Sequence, residues 1–276
     1  MQQMSENTAD TVSSTSHPYA LVTGASSGIG REFVRLFAED GWNLVLTARN
    51  ESRLGAVKVE LDERHGIRVI VLARDLADPA TPANIFSTLK QEGIVVSALV
   101  NDAGFNVHGP FEVTDLKPEL EMIQVHVTAL THLTKLFLHH RHVQTPAMIL
   151  NVSSIAAFVP GPNVSVHFAT RSYILSFSEA LALELAVTNV SVTCLCPGPV
   201  QSAFFARANM ENVRLATGWP LRLMDAHTVA KVGYTAMKKG KVVAIPGLQN
   251  KVIVFFAKHI PRALVTRISG WIMART

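Results

Sequence analysis

The sequence predicts an α/β domain built on a doubly wound parallel β-sheet, and three observations support this fold class. Short, β-branched apolar runs alternate with longer segments of helical period along the chain. Strands that are separated by helices require right-handed crossovers, which place helices on both faces of a parallel sheet. No Pro-rich or Ser-rich linker interrupts the alternation, so a single domain is predicted.

The predicted elements follow one another regularly. Strands are predicted at 20–23, 43–47, 68–72, 98–100, 148–152, 191–195 and 242–245. Amphipathic helices are predicted at 31–39, 119–140, 164–186 and 226–238. In such a sheet a ligand binds beyond the carboxyl ends of the strands, so the residues that directly follow strands are the candidate site residues.

Composition narrows the function classes. Apolar residues make up 48% of the chain and charged residues 17%, which is enough apolar surface for a large core. The net charge of +4 is scattered without a basic run, so no nucleic-acid partner is predicted.

Cys194 and Cys196 share one strand face, where a disulfide would be strained; they predict reduced thiols in a cytoplasmic protein. No cluster has metal-ligand spacing, so no metal is predicted.

The two ends of the chain differ from its middle. Residues 1–17 are polar and rich in Ser and Thr, without the apolar centre of a signal peptide, and predict a disordered leader. Residues 18–250 form the predicted binding and catalytic domain. Residues 251–276 predict an amphipathic helical extension of that domain, which mixes apolar and basic residues. This extension could contact a membrane surface peripherally, pack against a second subunit, or cover the substrate site and core.

A glycine-rich turn follows the first strand and precedes a helical pattern. Its sequence is Thr-Gly-Ala-Ser-Ser-Gly-Ile-Gly at 23–30. Gly24 permits a tight turn, Gly28 lets the backbone approach a diphosphate, and Gly30 permits close packing of helix and strand. The helix that starts here directs free N–H groups at the phosphates. The candidate cofactor residues in this turn are Gly24, Ser26, Ser27, Gly28, Ile29 and Gly30.

The ends of the next strands indicate which dinucleotide binds. No acidic residue follows the second strand, whereas Arg49 is positioned to bind the 2′-phosphate of NADP, with help from Arg31. NADP(H) is therefore the predicted cofactor, in preference to NAD(H). Later strand ends add further candidate cofactor residues, which are Asp75, Leu76, Asn101, Ala103 and Gly104.

In this order the motifs resemble the short-chain dehydrogenase/reductase family, over residues 18 to 250. The shared motifs are TGASSGIG, the Asp-Leu after strand three, Asn-x-Ala-Gly, the Asn-Val-Ser-Ser of strand five and the Cys-Pro-Gly-Pro-Val after strand six. The resemblance implies a Rossmann fold, hydride transfer between a nicotinamide and an alcohol or carbonyl, and a homodimer or homotetramer. It implies that Ser154 is the catalytic serine. It also implies cofactor contacts from Pro197, Gly198, Val200 and Ser202.

Three catalytic positions depart from the family pattern. The usual Tyr-x-x-x-Lys is replaced by His167-Phe-Ala-Thr-Arg171, and the usual helix asparagine by His126. Imidazole exchanges protons near neutral pH, and Arg171 can bind ribose hydroxyls but cannot release a proton. The charge of Arg171 would favour neutral His167, which suits alcohol oxidation or proton abstraction beside a carbonyl. Tyr173 lies on another side of the helix and cannot substitute.

These departures leave three functions open. The first is an NADP(H)-dependent oxidoreductase with an atypical active site, formed by Ser154, His167, Arg171 and His126. The second is a catalytically degenerate dinucleotide-binding protein with a regulatory or structural role. The third is non-redox chemistry on the same scaffold, against which the intact glycine turn argues.

Substrate class and assembly are predicted from the helices and the segment after Pro199. This segment contains Phe204, Phe205, Met210, Leu215, Trp219 and Leu223. An apolar lid of this kind favours a lipophilic substrate, such as a fatty-acyl, steroid-like or aromatic alcohol or carbonyl. The resemblance implies that helices 119–140 and 164–186 form the subunit interface.

Overall fold

A computed structural model describes residues 17–202, 204–218 and 220–275. Seven parallel strands form one sheet in the order β3-β2-β1-β4-β5-β6-β7, which is a doubly wound Rossmann sheet and confirms the predicted fold class. The strands are β1 (Tyr19–Thr23), β2 (Asn43–Ala48), β3 (Val69–Ala73), β4 (Val96–Asn101), β5 (Ala147–Val152), β6 (Val190–Leu195) and β7 (Val243–Ala244). The leader predicted at the N-terminus lies outside the described residues, apart from His17.

Helices cover both faces of the sheet. They are α1 (Gly28–Glu39), α2 (Glu51–His65), α3 (Thr81–Gln91), α4 (Leu116–Ile123), α5 (Leu130–His140), α6 (Ser165–Glu184), α7 (Phe204–Arg207), α8 (Ala226–Lys238), α9 (Leu248–His259) and α10 (Arg262–Ile272). Short 3-10 turns add Ile155–Phe158 and Arg214–Thr217. The four predicted helices are present, although the one predicted at 119–140 contains an irregular segment.

The core consists of two apolar layers, one on each face of the sheet. Neighbouring residues of a strand point to opposite faces, so Val22 packs into one layer and Leu21 into the other, and both are fully buried. Phe33 and Phe37 of α1 fill the first layer. Burying a side chain of this size contributes about 1.5–3 kcal/mol, so the two layers fix the sheet and the strand ends that carry the site.

A π-helical segment, Gln124–Ala129, joins α4 to α5 without interrupting the helical backbone. The widened turn was not predicted, because the apolar pattern of 119–140 fits an ordinary helix. It buries His126, whose side chain is 1% exposed, on the side of the helix that faces α6. π-Helical turns are rare and occur often at functional sites.

The C-terminal extension consists of α9 and α10, which pack on the same domain. Val213 forms an isolated bridge with Arg275, and the His108 Nε2 lies 2.9 Å from the Met273 carbonyl oxygen. Phe255 and Trp271 remain exposed. Among the helices described, none is both long and apolar enough to cross a membrane.

The two cysteines lie at the end of β6 as predicted. Cys194 and Cys196 are buried and unbridged, with their sulfur atoms 3.8 Å apart. A hydrogen bond with the Cys194 thiol, and then burial, raise the pKa of Cys196, so this thiol stays protonated at neutral pH. Within the described ranges no group of three or more His, Cys, Asp or Glu side chains could hold a metal ion.

Candidate active site

A cavity of about 850 Å³ opens at the carboxyl ends of the strands. Most of the predicted site residues line it together. They are Gly24, Ser26, Ser27, Gly28, Ile29, Arg49, Asp75, Leu76, Ala103, Gly104, Ser154, His167, Arg171, Pro197, Gly198, Val200 and Ser202. Residues from all parts of the chain thus meet at one site, because the parallel strands all end at the same edge of the sheet.

The glycine turn has the geometry of a phosphate cradle. Gly24 and Gly28 have φ angles of +69° and +59°, which favour glycine. A Cβ atom on Gly30 would lie 2.5 Å from the Gly24 carbonyl oxygen, so only glycine lets α1 begin this close to the turn. Gly28 and Ile29 at the start of α1 line the cavity, and the residues present fit a dinucleotide diphosphate at the N-terminus of this helix.

Asp102 lies directly beneath this turn. One of its carboxylate oxygens is 3.0 Å from the position that a Cβ on Gly24 would take and 2.6 Å from that on Gly30. Burial raises the pKa of Asp102 to about 7, although the charge of Arg171 and the Gly30 backbone N–H both favour the ionised form. A titrating carboxyl group therefore lies next to the place where phosphates would bind.

Four arginines form a basic rim at the same end of the cavity. They are Arg49, Arg53, Arg74 and Arg207, and all four side chains are exposed. The sequence predicted only Arg49, because the others lie on separate elements that the fold brings together. Arg31 does not line the cavity, and its guanidinium donates to the Glu60 carboxylate at 2.6 Å. The help expected from Arg31 stays a prediction.

Ser154 follows β5 and lines the middle of the cavity. Its hydroxyl donates to the Pro197 carbonyl at 3.3 Å and accepts from the Ala156 N–H at 3.1 Å. The second contact caps the 3-10 turn Ile155–Phe158. The hydroxyl is thus held at the junction of β5 and β6, where it can contact a ligand in the cavity.

His167 lies near the start of α6 and is 7% exposed. Its Nδ1 atom is buried without a hydrogen-bond partner among the described residues. Burial, and then the charge of Arg171, hold the pKa of His167 well below its usual value, while the backbone of Phe105 acts in the opposite direction. The imidazole is therefore neutral at pH 7, and one of its ring nitrogens has no partner among the described residues.

Arg171 lies one helical turn after His167 and points inward. Its guanidinium donates to the Val152 carbonyl at 2.9 Å and to the His126 Nε2 at 3.2 Å. A Cβ on Gly104 would lie 2.8 Å from this guanidinium, so glycine is needed there. Burial lowers the pKa of Arg171 to about 10, which leaves it charged at neutral pH.

The contacts of His126 fix its tautomer. Thr170 donates its hydroxyl hydrogen to the His167 carbonyl at 2.8 Å, so the hydroxyl accepts from the His126 Nδ1–H at 2.9 Å. The Nε2 atom then accepts from the Phe105 N–H and from Arg171. Burial and the charge of Arg171 hold the pKa of His126 well below its usual value, so a neutral imidazole serves as a fixed acceptor for the arginine.

Three predicted site residues do not line the large cavity. Gly30 acts through packing, as described, and His126 lies one layer below the cavity. Asn101 is buried in β4, where its amide donates to the Asn151 side chain at 2.9 Å. Its side chain thus joins a polar network inside the fold, and a role for Asn101 in the cofactor cleft stays a prediction. Tyr173 faces outward from α6, as expected, and contacts Thr131.

The other end of the cavity is apolar. Of the predicted lid residues, Phe204, Phe205, Met210 and Leu215 line it, Leu223 does not, and Trp219 lies outside the described residues. Side chains from α9 and α10 complete the wall, and the sequence did not assign them individually. They include Val252, Phe256, Ile268 and Ile272.

The sheet order and the glycine turn define a Rossmann-type nucleotide-binding protein. Comparison with known families is more specific. The profile of the short chain dehydrogenase family matches residues 18–212, and the chain belongs to this family of oxidoreductases.

Curated relatives include several reductases. A very-long-chain 3-oxoacyl-CoA reductase from Pyrenophora tritici-repentis is 29% identical over 80% of this chain and 65% of its own length. A sulfoacetaldehyde reductase from Chromohalobacter salexigens is 36% identical over 66% of this chain and 72% of its own length. The chain thus spans somewhat less than two thirds of the first of these relatives.

Solved structures agree with the fold. A short-chain dehydrogenase from Sphingobium yanoikuyae in complex with NADPH superimposes with a TM-score of 0.77 at 28% identity, over 89% of this chain and 97% of that chain. A 7β-hydroxysteroid dehydrogenase has a TM-score of 0.82 at 22% identity, over 91% of this chain and 96% of that chain, and supports the fold alone.

Proposed function

We propose that this protein is an NADP(H)-dependent oxidoreductase that acts on a lipophilic alcohol or carbonyl compound with an atypical active site. One observation carries the proposal. A single cavity contains the glycine turn at one end, apolar walls at the other, and Ser154 with a neutral, half-partnered His167 between them. Binding of NADPH by the Sphingobium relative supports the choice of cofactor.

The residues that would hold NADP(H) divide along the cavity. The backbone of the glycine turn and the N-terminus of α1 would bind the diphosphate. Arg49 would bind the 2′-phosphate, and Asp75 with Leu76 would border the adenine. Pro197, Gly198, Val200 and Ser202 would hold the nicotinamide end, on the strength of the family resemblance. When bound, this cofactor supplies or accepts the hydride.

His167 is the proposed proton-transfer residue, in place of the tyrosine typical of the family. His167 lines the cavity, and its neutral imidazole can accept a proton from a substrate hydroxyl. The Ser154 hydroxyl would donate a hydrogen bond to the substrate oxygen. Because the pKa of His167 is held low, the imidazole is in its unprotonated form at neutral pH and can only accept a proton there, which favours alcohol oxidation over carbonyl reduction.

Arg171 and His126 are proposed as positioning residues. Two hydrogen bonds, to Val152 and to His126, hold the guanidinium in the cavity wall, where its charge adds to the effect of burial in keeping His167 neutral. Direct binding of ribose hydroxyls by Arg171 remains a prediction. A catalytically degenerate protein would have no group in the cavity that can exchange a proton, whereas this site retains His167.

The substrate is proposed to be lipophilic because aromatic and aliphatic side chains line the end of the cavity beyond His167. The rings of His167 and Phe204 are 5.7 Å apart, so the reacting oxygen would lie beside an apolar wall. The curated 3-oxoacyl-CoA reductases are consistent with an acyl-type substrate. A suitable panel contains long-chain 3-oxoacyl thioesters and steroid-like and aromatic alcohols and ketones.

Two associations complete the proposal. Exposed apolar residues on α4, which are Leu116, Leu120 and Ile123, support a homodimer or homotetramer formed through α4, α5 and α6. The segment 226–276 contains nine lysines and arginines and no acidic residue, and Phe255, Phe256 and Trp271 are exposed on it. This combination supports peripheral contact with an anionic membrane. Light scattering and sedimentation with neutral or anionic vesicles test the two associations.

Turnover of the panel by the His167→Ala variant tests the proton-transfer role. We expect NADPH affinity to remain and kcat to fall by roughly 100-fold or more, as for loss of a general base. Tyr173→Phe is the matched control, since Tyr173 lies on the outer face of the same helix. Unchanged turnover in His167→Ala would eliminate the proposed role, and absence of NADPH binding by the wild type would eliminate the proposed function.

A further inference from the structure

The segment 200–224, which the structure describes except at residues 203 and 219, follows β6 and reaches the glycine turn. Its two ends are held together by an isolated bridge between Val200 and Met224, and the Gln201 N–H donates to the Met224 carbonyl at 2.8 Å. At its far side, Arg207 of α7 donates to the Ser27 hydroxyl at 3.2 Å. Ser27 is the residue directly before α1, so the segment contacts the phosphate cradle itself.

Positive charges from both sides of the cleft converge at this contact. Arg49 lies in the β2–α2 connection and Arg53 in the first turn of α2, whereas Arg207 comes from α7. All three arginines line the same cavity. Partial burial lowers the pKa of Arg207, the charges of Arg53 and Arg49 lower it further, and the nearby carboxylate of Asp102 acts in the opposite direction. Three cations on one rim repel one another unless an anion lies between them.

We propose that Arg207 binds a phosphate group of NADP(H) and thereby holds the 200–224 segment closed over the cofactor. This inference rests on the proposed NADP(H) binding. A phosphate oxygen is a stronger acceptor than the neutral Ser27 hydroxyl, because the hydrogen bond is then charge-assisted and can be bidentate. The 2′-phosphate and the diphosphate both offer such oxygens.

The proposed contact links cofactor binding to the substrate site. The same segment contributes Phe204 and Met210 to the apolar wall, and the Phe204 ring lies beside His167. Fixing Arg207 on a phosphate therefore fixes this wall as well. NADP(H) should accordingly raise the affinity for the lipophilic substrate, and by linkage the substrate should raise the affinity for NADP(H) by the same factor.

The test compares Arg207→Ala with Arg222→Ala, which removes the same charge from an exposed position in the same segment that does not line the cavity. Fluorescence titrations measure the affinities for NADPH, NADH and 2′,5′-ADP. We expect Arg207→Ala to weaken NADPH binding by roughly 10- to 100-fold, the loss typical of a charged hydrogen bond, and Arg222→Ala to leave it nearly unchanged. Arg207→Lys, which keeps the charge without the planar fork, should fall between.

The three ligands distinguish the two phosphate sources. Equal weakening for NADPH and NADH assigns Arg207 to the diphosphate, whereas weakening confined to NADPH and 2′,5′-ADP assigns it to the 2′-phosphate. Hydrogen exchange of residues 204–218 provides a readout that is independent of activity: NADPH should protect them in the wild type and less in Arg207→Ala.

Several outcomes would overturn the proposal. Unchanged NADPH affinity in Arg207→Ala would do so, as would equal weakening by Arg222→Ala, which would reveal a general charge effect. Absence of NADPH-dependent protection in the wild type would remove the closure of the segment. If the wild type binds neither NADPH nor NADH, the proposed function fails together with this inference. If the wild type binds NADPH and Arg207→Ala binds it equally well, only the inference is refuted.

Discussion

Replacing Asp102 by Asn should make the protein more stable, and increasingly so as pH rises. In the folded protein the carboxyl group of Asp102 has a pKa of about 7, whereas its ordinary value is 3.8. Because the folded pKa is raised, the folded state binds more protons than the unfolded state between these two values, and stability falls as pH rises through that window. Each pKa unit corresponds to about 1.4 kcal/mol, so the wild type should lose about 2–3 kcal/mol from this group between pH 5 and pH 8.

Urea unfolding of both proteins at pH 5, 6, 7 and 8 measures this difference directly. The stability advantage of Asp102→Asn over the wild type should grow by about 2–3 kcal/mol across the series and level off above pH 7. Asp62→Asn is the control, because Asp62 is exposed and pairs with Lys58 on the surface of α2. A difference between Asp102→Asn and the wild type that is the same at pH 5 and pH 8 would refute the reasoning.

Three further predictions concern packing and charge. Gly30→Ala should abolish NADPH binding in a titration, because its Cβ would lie 2.5 Å from the Gly24 carbonyl oxygen. Gly55→Ala is the control and should bind NADPH normally, because the space around Gly55 is open. Equal binding by both variants would contradict the cradle geometry. Phe33→Ala should lower the free energy of unfolding by about 3–5 kcal/mol, because Phe33 is fully buried, and a loss below about 1 kcal/mol in urea unfolding would contradict its place in the core. Arg171→Gln should move the acid limb of the pH profile of kcat to higher pH, because a charge that lowers the pKa of His167 is lost. Arg171→Lys keeps the charge and should move the limb little. If the acid limb of Arg171→Gln stays where it is in the wild type, this electrostatic role is excluded.

The sheet could be predicted almost completely, because its determinants are local. Each strand is a short apolar run, and all seven are found within one or two residues of their predicted ends. The glycine turn at 24–30 was predictable for a similar reason, since the backbone conformation there requires glycine. The strands and the glycine turn depend on local sequence, so the pattern of apolar residues and glycines was sufficient to predict them.

Other parts of the site depend on contacts between distant residues. Arg207 meets Ser27 across 180 positions, and no pattern in the sequence connects them. Asn101 follows a predicted strand like its neighbours, yet its amide turns into the fold because Asn151 on the adjacent strand offers an acceptor. The apolar wall formed by α9 and α10 likewise depends on how the chain folds back, which periodicity does not reveal.

The π-helical segment has a consequence for how this chain can vary. An α-helix advances roughly 100° per residue, so one additional residue within a turn rotates everything before it relative to everything after it. In this chain the wide turn at Gln124–Ala129 holds His126 against Arg171 while α5 keeps its apolar face on the sheet. If one residue were removed from the turn, either the contact of His126 with Arg171 or the packing of α5 on the sheet would be lost. At this place a change in chain length is therefore more disruptive than a change of side chain.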